Sequence, residues 1–180
     1  VNPTGQGAGF YTGQPLRRFE DADLLCGRGR FADDLGVRPG TCHAAILRSP
    51  YPHAEIAAID TAAALALPGV AAILTGADVR AWSRPFPVAV KAPMEQWCLA
   101  LDRVRYVGEP VAVAVARDRH TAADALERIA VDYRPLPAVV DPEEAALAGA
   151  PLLHPAIGAN IVSDRHFRYG DPAAAFAAAT

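Results

Sequence analysis

The chain has no long apolar run and no strong excess of charge of either sign, and each absence excludes a class of protein. No run approaches the roughly 18 apolar residues that a membrane-spanning helix requires. The 17 basic and 20 acidic residues are interspersed and give a net charge of −3, which argues against nucleic acid or an anionic membrane as a partner. The first residues are polar and glycine-rich, unlike a secretory signal.

Cysteine is also scarce, with three residues far apart in the chain: Cys26, Cys42 and Cys98. An odd number at this spacing fits neither a disulfide framework nor a CxxC metal site. Reduced thiols are typical of the cytoplasm, so we expect a cytoplasmic protein. Cys98 stands beside Trp97 at the start of an expected strand, where we expect an inert, buried thiol.

What is present is a globular composition: 180 residues, of which 52% are hydrophobic, and much of that fraction is alanine. This length suffices for one ordinary domain, with or without trailing segments. Such a body buries roughly two-thirds of its unfolded surface and needs no disulfide or metal. The chain starts at Val1 instead of methionine, so we expect it to be part of a longer protein.

Residues 99–137 carry the strongest pattern. The unbroken apolar run Val111 to Ala116 predicts a buried strand, because a strand covered on both faces loses its polar alternation. An amphipathic helix follows over residues 121–129, and the chain returns as an alternating strand over 130–133, which Pro135 ends.

A second strand–helix–strand unit is predicted over residues 42–74. It comprises strands at 42–47, 54–59 and 70–74 and a helix at 61–67 that Asp60 caps. Strands mixed with a few short helices favour an α+β domain over a doubly wound sheet. The remaining predictions are a turn leading to a short strand within 27–34, a turn at 75–78, a long packed loop at 81–97, a helix at 142–147, a strand at 160–169 and a helix from Ala173 onward.

One motif invites comparison with a phosphate-binding loop, namely Gly27-Arg28-Gly29-Arg30. It lacks the third glycine of GxGxxG and follows no clear strand, so a tight turn is the better interpretation. The alternative, that Arg28 and Arg30 contact an acidic partner or a cofactor phosphate, stays open.

No other residue pattern indicates catalysis or metal binding, so we predict no catalytic, cofactor-binding or metal-ligating residues. The histidines show no HxxxH or HExxH spacing; His43 is expected in the core, and His53 is expected to be a structural tie. No GxSxG elbow surrounds any serine. The acidic pairs Asp33-Asp34 and Glu143-Glu144 are typical of turns and helix starts. We expect a structural ion-pair cluster around the strand ends, formed by Arg103, Arg105, Glu109 and Arg117.

Several long motifs occur in a recognisable order. They are the run from Leu24 to Asp34, LRSPYPHAEIAAID (47–60), LPGVAAILTGADV (67–79), RVRYVGEPVAVAVA (103–116), VDYRPLPAVVD (131–141) and GDPAAAF (170–176). Together they resemble the amino-terminal part of the molybdopterin-binding large subunit of the xanthine dehydrogenase, aldehyde oxidase and carbon monoxide dehydrogenase family. The matching positions include Arg48, Ser49, Pro50, His53, Gly108 and Pro110. Cys26 and Phe31 depart from the threonine and tyrosine that are common there.

The resemblance implies an α/β-hammerhead domain, an α+β fold with a mixed sheet and two or three short helices. We expect an extended arm at residues 1–20, the hammerhead domain at 21–150, and a connector at 151–180 that leads toward the molybdopterin-binding domain. In the family the molybdenum cofactor and the catalytic glutamate belong to the portion after this region, and FAD and two [2Fe-2S] clusters lie in other domains or subunits.

The function implied by the resemblance is therefore structural. The parent reaction is oxidative hydroxylation of an aldehyde or heteroaromatic carbon with water as the oxygen source, and this part is not expected to be catalytic or to bind molybdopterin alone. Its expected partners are the molybdopterin-binding domain and the FAD and iron–sulfur subunits. The alternative is a stand-alone binding module that uses the same fold.

Overall fold

The computed structural model describes residues 13–90, 92–167 and 169–179, and the chain divides into two compact units, residues 1–41 and 42–180. The first unit contains helix α1 (Asp21–Leu25) and a 3-10 helix (Ala32–Leu35). The strand predicted within residues 27–34 is not formed. The Phe31 amide donates to the Asp34 carboxylate at 2.9 Å, which closes a helical turn instead. Of the predicted arm, residues 1–12 lie outside the described residues, and 13–20 form turns and irregular backbone.

The second unit contains two three-stranded sheets. The first has the order β1–β5–β3, in which β1 is His43–Arg48, β3 is Val70–Thr75 and β5 is Pro110–Ala116. Both edge strands run antiparallel to β5, and Ala114 lies between Ala45 and Ile73. The second sheet has the order β4–β2–β6, formed by Arg103–Val104, Ala54–Asp60 and Ala130–Pro135, again antiparallel throughout.

The predicted strand–helix–strand units are both present, but each one crosses between the sheets. Helix α2 (Ala62–Leu65) joins β2 of the second sheet to β3 of the first, and α4 (Arg119–Leu126) joins β5 to β6. The α+β class is confirmed. The single mixed sheet expected with it is instead two antiparallel sheets, because α2 and α4 each join strands that belong to different sheets.

The core forms around β5. On one face Ala112 and Ala114 pack with Ala64 of α2 and Ala125 of α4, and small side chains let the helices approach the sheet closely. On the other face Val111 belongs to a second cluster with Ala54, Ala100 and Val104. Val113 and Val115 are half-buried. The strand predicted to be buried on both faces is therefore fully buried on both faces only where β5 begins.

Carboxylates cap the amino-terminal ends of the helices that the sequence predicts, and of one helix, α3, that it does not predict. The Asp118 carboxylate accepts from the Thr121 amide and hydroxyl, each at 2.8 Å, and these bonds lower the pKa of Asp118 to about 2. Residues 75–78, predicted as a turn, instead begin α3 (Gly76–Trp82). The Thr75 amide and hydroxyl both donate to the Asp78 carboxylate, which is a capping arrangement.

The rest of the second unit is mostly irregular. The predicted loop contains one isolated bridge, between Phe86 and Gln96. Helices α5 (Pro142–Ala145) and α6 (Pro172–Ala178) follow their capping residues Asp141 and Asp171, and a 3-10 helix spans Pro155–Ile157. The strand predicted at 160–169 is not found among its described residues. No helix in the described part of the chain has the length and apolarity to cross a membrane. The predicted boundaries at residues 20 and 150 stay predictions.

Candidate functional site

The Gly27–Arg30 motif forms the turn after α1, as the preferred interpretation predicted. Gly27 adopts a positive φ of 68°. The Arg28 guanidinium donates to the Asp23 carboxylate at 3.1 Å, and both side chains are exposed. Such a surface pair contributes little to stability, but it gives Arg28 a partner within the turn. An anion contact by Arg28 and Arg30 stays a prediction.

His53 is the structural tie that the sequence predicted. Its side chain is 4% exposed, and its Nδ1 lies 2.7 Å from the carbonyl oxygen of Pro137. The Leu136 amide donates to the His53 carbonyl at 2.9 Å. Because a carbonyl oxygen only accepts, Nδ1 carries the proton. His53 therefore fastens the start of β2 to the segment that follows β6.

The other histidines form no site. His43, expected in the core, is only half-buried because it opens the edge strand β1. His166 lies 3.5 Å from Asp164 on the surface. Among the described residues no group of three or more histidine, cysteine or acidic side chains is placed to hold a metal.

The candidate nucleophiles and acid–base pairs are either exposed or bonded to the backbone of turns and helix starts. Cys98 is exposed, as are the other two cysteines, which corrects the prediction of a buried thiol. Leu99 occupies the buried position next to it, and the strand begins only at Arg103. The Ser49 hydroxyl bonds to the backbone of Tyr51. The amides of Glu143 and Glu144 donate to Asp141 at a helix start, and the Asp34 carboxylate closes the turn described above.

The predicted ion-pair cluster is divided into separate contacts. Arg103 pairs with Glu55 at 3.3 Å across the second sheet, and Arg117 pairs with its neighbour Asp118 at 3.1 Å. Arg105 contacts two members of the predicted cluster: its guanidinium donates to the Arg103 carbonyl, and its amide donates to the Glu109 carboxylate.

That last contact belongs to a loop at residues 105–109, between β4 and β5, which the motif residues hold in place. The Arg48 guanidinium donates to the Gly108 carbonyl at 2.8 Å. The Gly108 amide donates to the Ser49 carbonyl at 2.8 Å, and the Ser49 amide donates to the Glu109 carbonyl at 2.9 Å. Gly108 has a φ of 92°, which favours glycine there. Two motifs far apart in sequence thus form one clamp.

The Glu109 carboxylate belongs to a half-buried residue of this loop. Burial raises its pKa above the ordinary value, and the hydrogen bond from the Arg105 amide and the Arg105 charge oppose that shift without cancelling it. Nearby, burial lowers the pKa of His154, and the charge of Arg105 lowers it further. The loop therefore borders a partly desolvated environment.

That environment is a cavity of about 860 Å³. Its walls come from α3, the segment 93–102, the 105–109 loop and residues 153–156. The apolar residues in the wall include Met94, Trp97, Leu99, Leu101, Leu153 and Pro155.

The wall at 153–156 is held by a residue whose role the sequence did not signal. Asn160 accepts from the Leu153 amide at 3.1 Å and donates to the carbonyls of Ala145 and Pro151. The Arg105 guanidinium also donates to the Leu153 carbonyl at 3.3 Å. Segments on both sides of the predicted boundary at residue 150 are thus joined by hydrogen bonds.

Three polar side chains beside the loop are bonded to partners within the chain. Arg105 bonds to the carbonyls of Leu153 and Arg103, Glu109 accepts from the Arg105 amide, and the Trp97 indole donates to Glu95 at 3.0 Å. A small-molecule site requires convergent polar groups that can turn to the ligand. The wall also includes the polar side chains of Arg80, Asp102 and His154, so the cavity offers polar as well as apolar surface.

The comparisons with known proteins agree on one family. A family model described as aldehyde oxidase and xanthine dehydrogenase, a/b hammerhead domain, matches residues 26–137. The carbon monoxide dehydrogenase large chain of Afipia carboxidovorans is 42% identical over 137 residues, which are 76% of this chain and 17% of that protein.

Solved structures give the same result. The quinoline 2-oxidoreductase of Pseudomonas putida 86 matches with a TM-score of 0.74 and 43% identity, over 82% of this chain and 19% of that one. A Cu,Mo-containing carbon monoxide dehydrogenase matches with a TM-score of 0.68 and 42% identity, over 78% and 17%. The chain spans less than a fifth of the length of each of these relatives. Since the family model covers more than half of the chain, the chain belongs to the aldehyde oxidase and xanthine dehydrogenase family and carries its α/β-hammerhead domain.

Proposed function

We propose that this chain is a structural part of the large subunit of a molybdenum hydroxylase, in which it supports and contacts the part that carries out the reaction. The match of residues 26–137 to the hammerhead domain carries this proposal. The parent reaction is oxidative hydroxylation of an aldehyde or heteroaromatic carbon with water as the oxygen source. The relatives include a quinoline oxidoreductase and a dehydrogenase that contains copper and molybdenum, which supports a redox enzyme of this kind.

In this proposal the residues that the structure describes do not hold the molybdopterin cofactor. Such a group requires several donors that converge on its pterin and phosphate, whereas the donors of Arg105 and Trp97 in the cavity wall are bonded within the chain and Arg80 is exposed on α3. We therefore place molybdopterin in the remaining part of the large subunit, and FAD and [2Fe-2S] clusters in partner domains or subunits. In this proposal the chain itself has no catalytic residue, and the enzyme is cytoplasmic.

The test is to purify, from the source organism, the polypeptide that contains this sequence. We expect a polypeptide several times longer than 180 residues, with stoichiometric molybdenum by elemental mass spectrometry and molybdopterin after extraction. The 180-residue chain produced alone, under the same conditions, should contain no molybdenum and absorb no visible light. Recovery of only a 180-residue polypeptide in cells would favour the stand-alone binding module, and stoichiometric molybdenum on the short chain would contradict the assignment of the cofactor.

A further inference from the structure

We propose that the tip of the 105–109 loop, formed by Tyr106 and Val107, and the adjoining cavity together form the surface on which the rest of the same large subunit docks. This inference rests on the proposed function and adds to it the place of contact. Nothing in the family match itself assigns a role to this loop.

The first observation is that the tip is apolar, exposed and firmly held. Tyr106 is 52% and Val107 62% exposed, yet the loop that carries them is bonded on both sides. Arg48 and Ser49 hold its carboxyl-terminal half, and the Glu109 carboxylate holds the Arg105 amide. Exposed apolar side chains on a preorganised support are typical of binding surfaces, because little conformational entropy is lost when the partner arrives.

The second observation concerns the kind of occupant. The cavity next to the tip is large enough for a small molecule, but Arg105, Glu109 and Trp97 already have partners within the chain. To an occupant it presents the half-buried apolar side chains of Met94 and Leu153, together with polar groups such as Arg80 and His154. Apolar and aromatic side chains of a protein segment match such a surface, and an aromatic knob beside a socket is a common arrangement of contact hot spots.

The third observation identifies the source of that segment. In the carbon monoxide dehydrogenase large chain and the quinoline oxidoreductase, more than four-fifths of the chain lies outside the part that this chain matches. Domains of one chain meet through interfaces that are partly apolar, and the interface here is tethered by the backbone, which favours an intrachain contact over a separate partner. We therefore assign the surface to the large subunit itself, and not to a second copy or another subunit.

Photocrosslinking in the full-length large subunit tests the assignment. A benzoylphenylalanine replaces Tyr106, and in a matched control it replaces Asp124, which is exposed on α4. After irradiation, mass spectrometry of digested protein should join residue 106 to a peptide beyond Thr180, in a band that keeps the mass of one large subunit, whereas position 124 should give no such peptide. A crosslink to another subunit, a band of twice the mass, or equal yields at both positions would each overturn the proposal.

A substitution provides a second readout. The double variant Tyr106→Ser, Val107→Ser should make limited proteolysis between this domain and the rest of the subunit about tenfold faster, as expected for loss of an interface hot spot. The control Leu65→Ser changes a side chain that is 49% exposed elsewhere and should leave the cleavage rate unchanged. An unchanged rate in the double variant contradicts the docking surface. If molybdenum is present in that same preparation, the proposed function stands while the docking surface fails.

Discussion

The 105–109 loop and strand β5 are consecutive in the chain and are stabilised in opposite ways. From Val111 to Ala116 the strand buries four of its six side chains completely, and its small side chains fill the space between the first sheet and two helices. The loop before it leaves Tyr106 and Val107 exposed and depends on hydrogen bonds from individual residues such as Arg48. In the motif RVRYVGEPVAVAVA, the strand half supports the core, and the loop half presents exposed side chains.

This difference determines which substitutions each region tolerates. Packing in β5 is shared among many contacts, so added volume is costly and loss of one polar group matters little. In the loop, added volume at the tip meets solvent, whereas the loss of one anchoring donor releases a specific carbonyl. The two regions can therefore be separated by experiment.

The largest effect is expected from overpacking β5. Ala114 is completely buried between β1 and β3, so Ala114→Leu should lower the free energy of unfolding by about 1–3 kcal/mol. The measurement is urea unfolding of the chain. The control Ala44→Leu, at an exposed position of β1, should change stability by no more than about 0.5 kcal/mol. Equal losses at the two positions would show that β5 is not the tightly packed centre.

A smaller loss of stability is expected when the loop loses the hydrogen bond from Arg48. Arg48→Met keeps much of the side-chain length but removes the donor to the Gly108 carbonyl, which should cost about 1 kcal/mol. Hydrogen exchange should show the Gly108 amide, bonded to Ser49, exchanging faster while amides in β5 keep their protection. Arg134→Met, at another exposed arginine, should alter neither. Uniform deprotection of loop and strand would mean that the two regions open together.

The same contrast explains what the sequence could predict. Local signals locate five of the six strands in the described residues, whereas the strands that we predict within 27–34 and at 160–169 are not found there. Asp60 marks the start of α2, where the Ala62 amide donates to its carboxylate, because a cap acts within three residues. Thr75 and Asp78 carry the same kind of signal for the start of α3, although we predict a turn at these residues from the sequence. The Arg48–Gly108 bond joins residues 60 positions apart, and the Asn160 contacts likewise depend on tertiary structure. The cavity, the clamp and the division into two sheets arise from such contacts, so no local pattern predicts them.

Acid titration should change the stability contributions of Asp118 and Glu109 in opposite directions. The folded pKa of Asp118 is about 2, below its ordinary value of 3.8, so its contribution to stability is present above about pH 4 and is lost as the pH falls toward 2. Asp118→Asn should therefore be less stable than the native chain at pH 5 and should approach it at pH 2, measured by urea unfolding at each pH. A difference from the native chain that stays the same between pH 5 and pH 2 would contradict this assignment.

The contribution of Glu109 to stability should depend on pH in the opposite way. Burial raises its pKa above 4.5, so the folded state disfavours the ionised form, and stability declines as the pH rises from 4.5 through the raised pKa. Glu109→Gln keeps an oxygen to accept from the Arg105 amide but removes the buried charge. The variant should gain stability relative to the native chain as the pH rises above 4.5. Parallel profiles for the native chain and Glu109→Gln would mean that the carboxylate is solvated, and that the loop does not border a desolvated cavity.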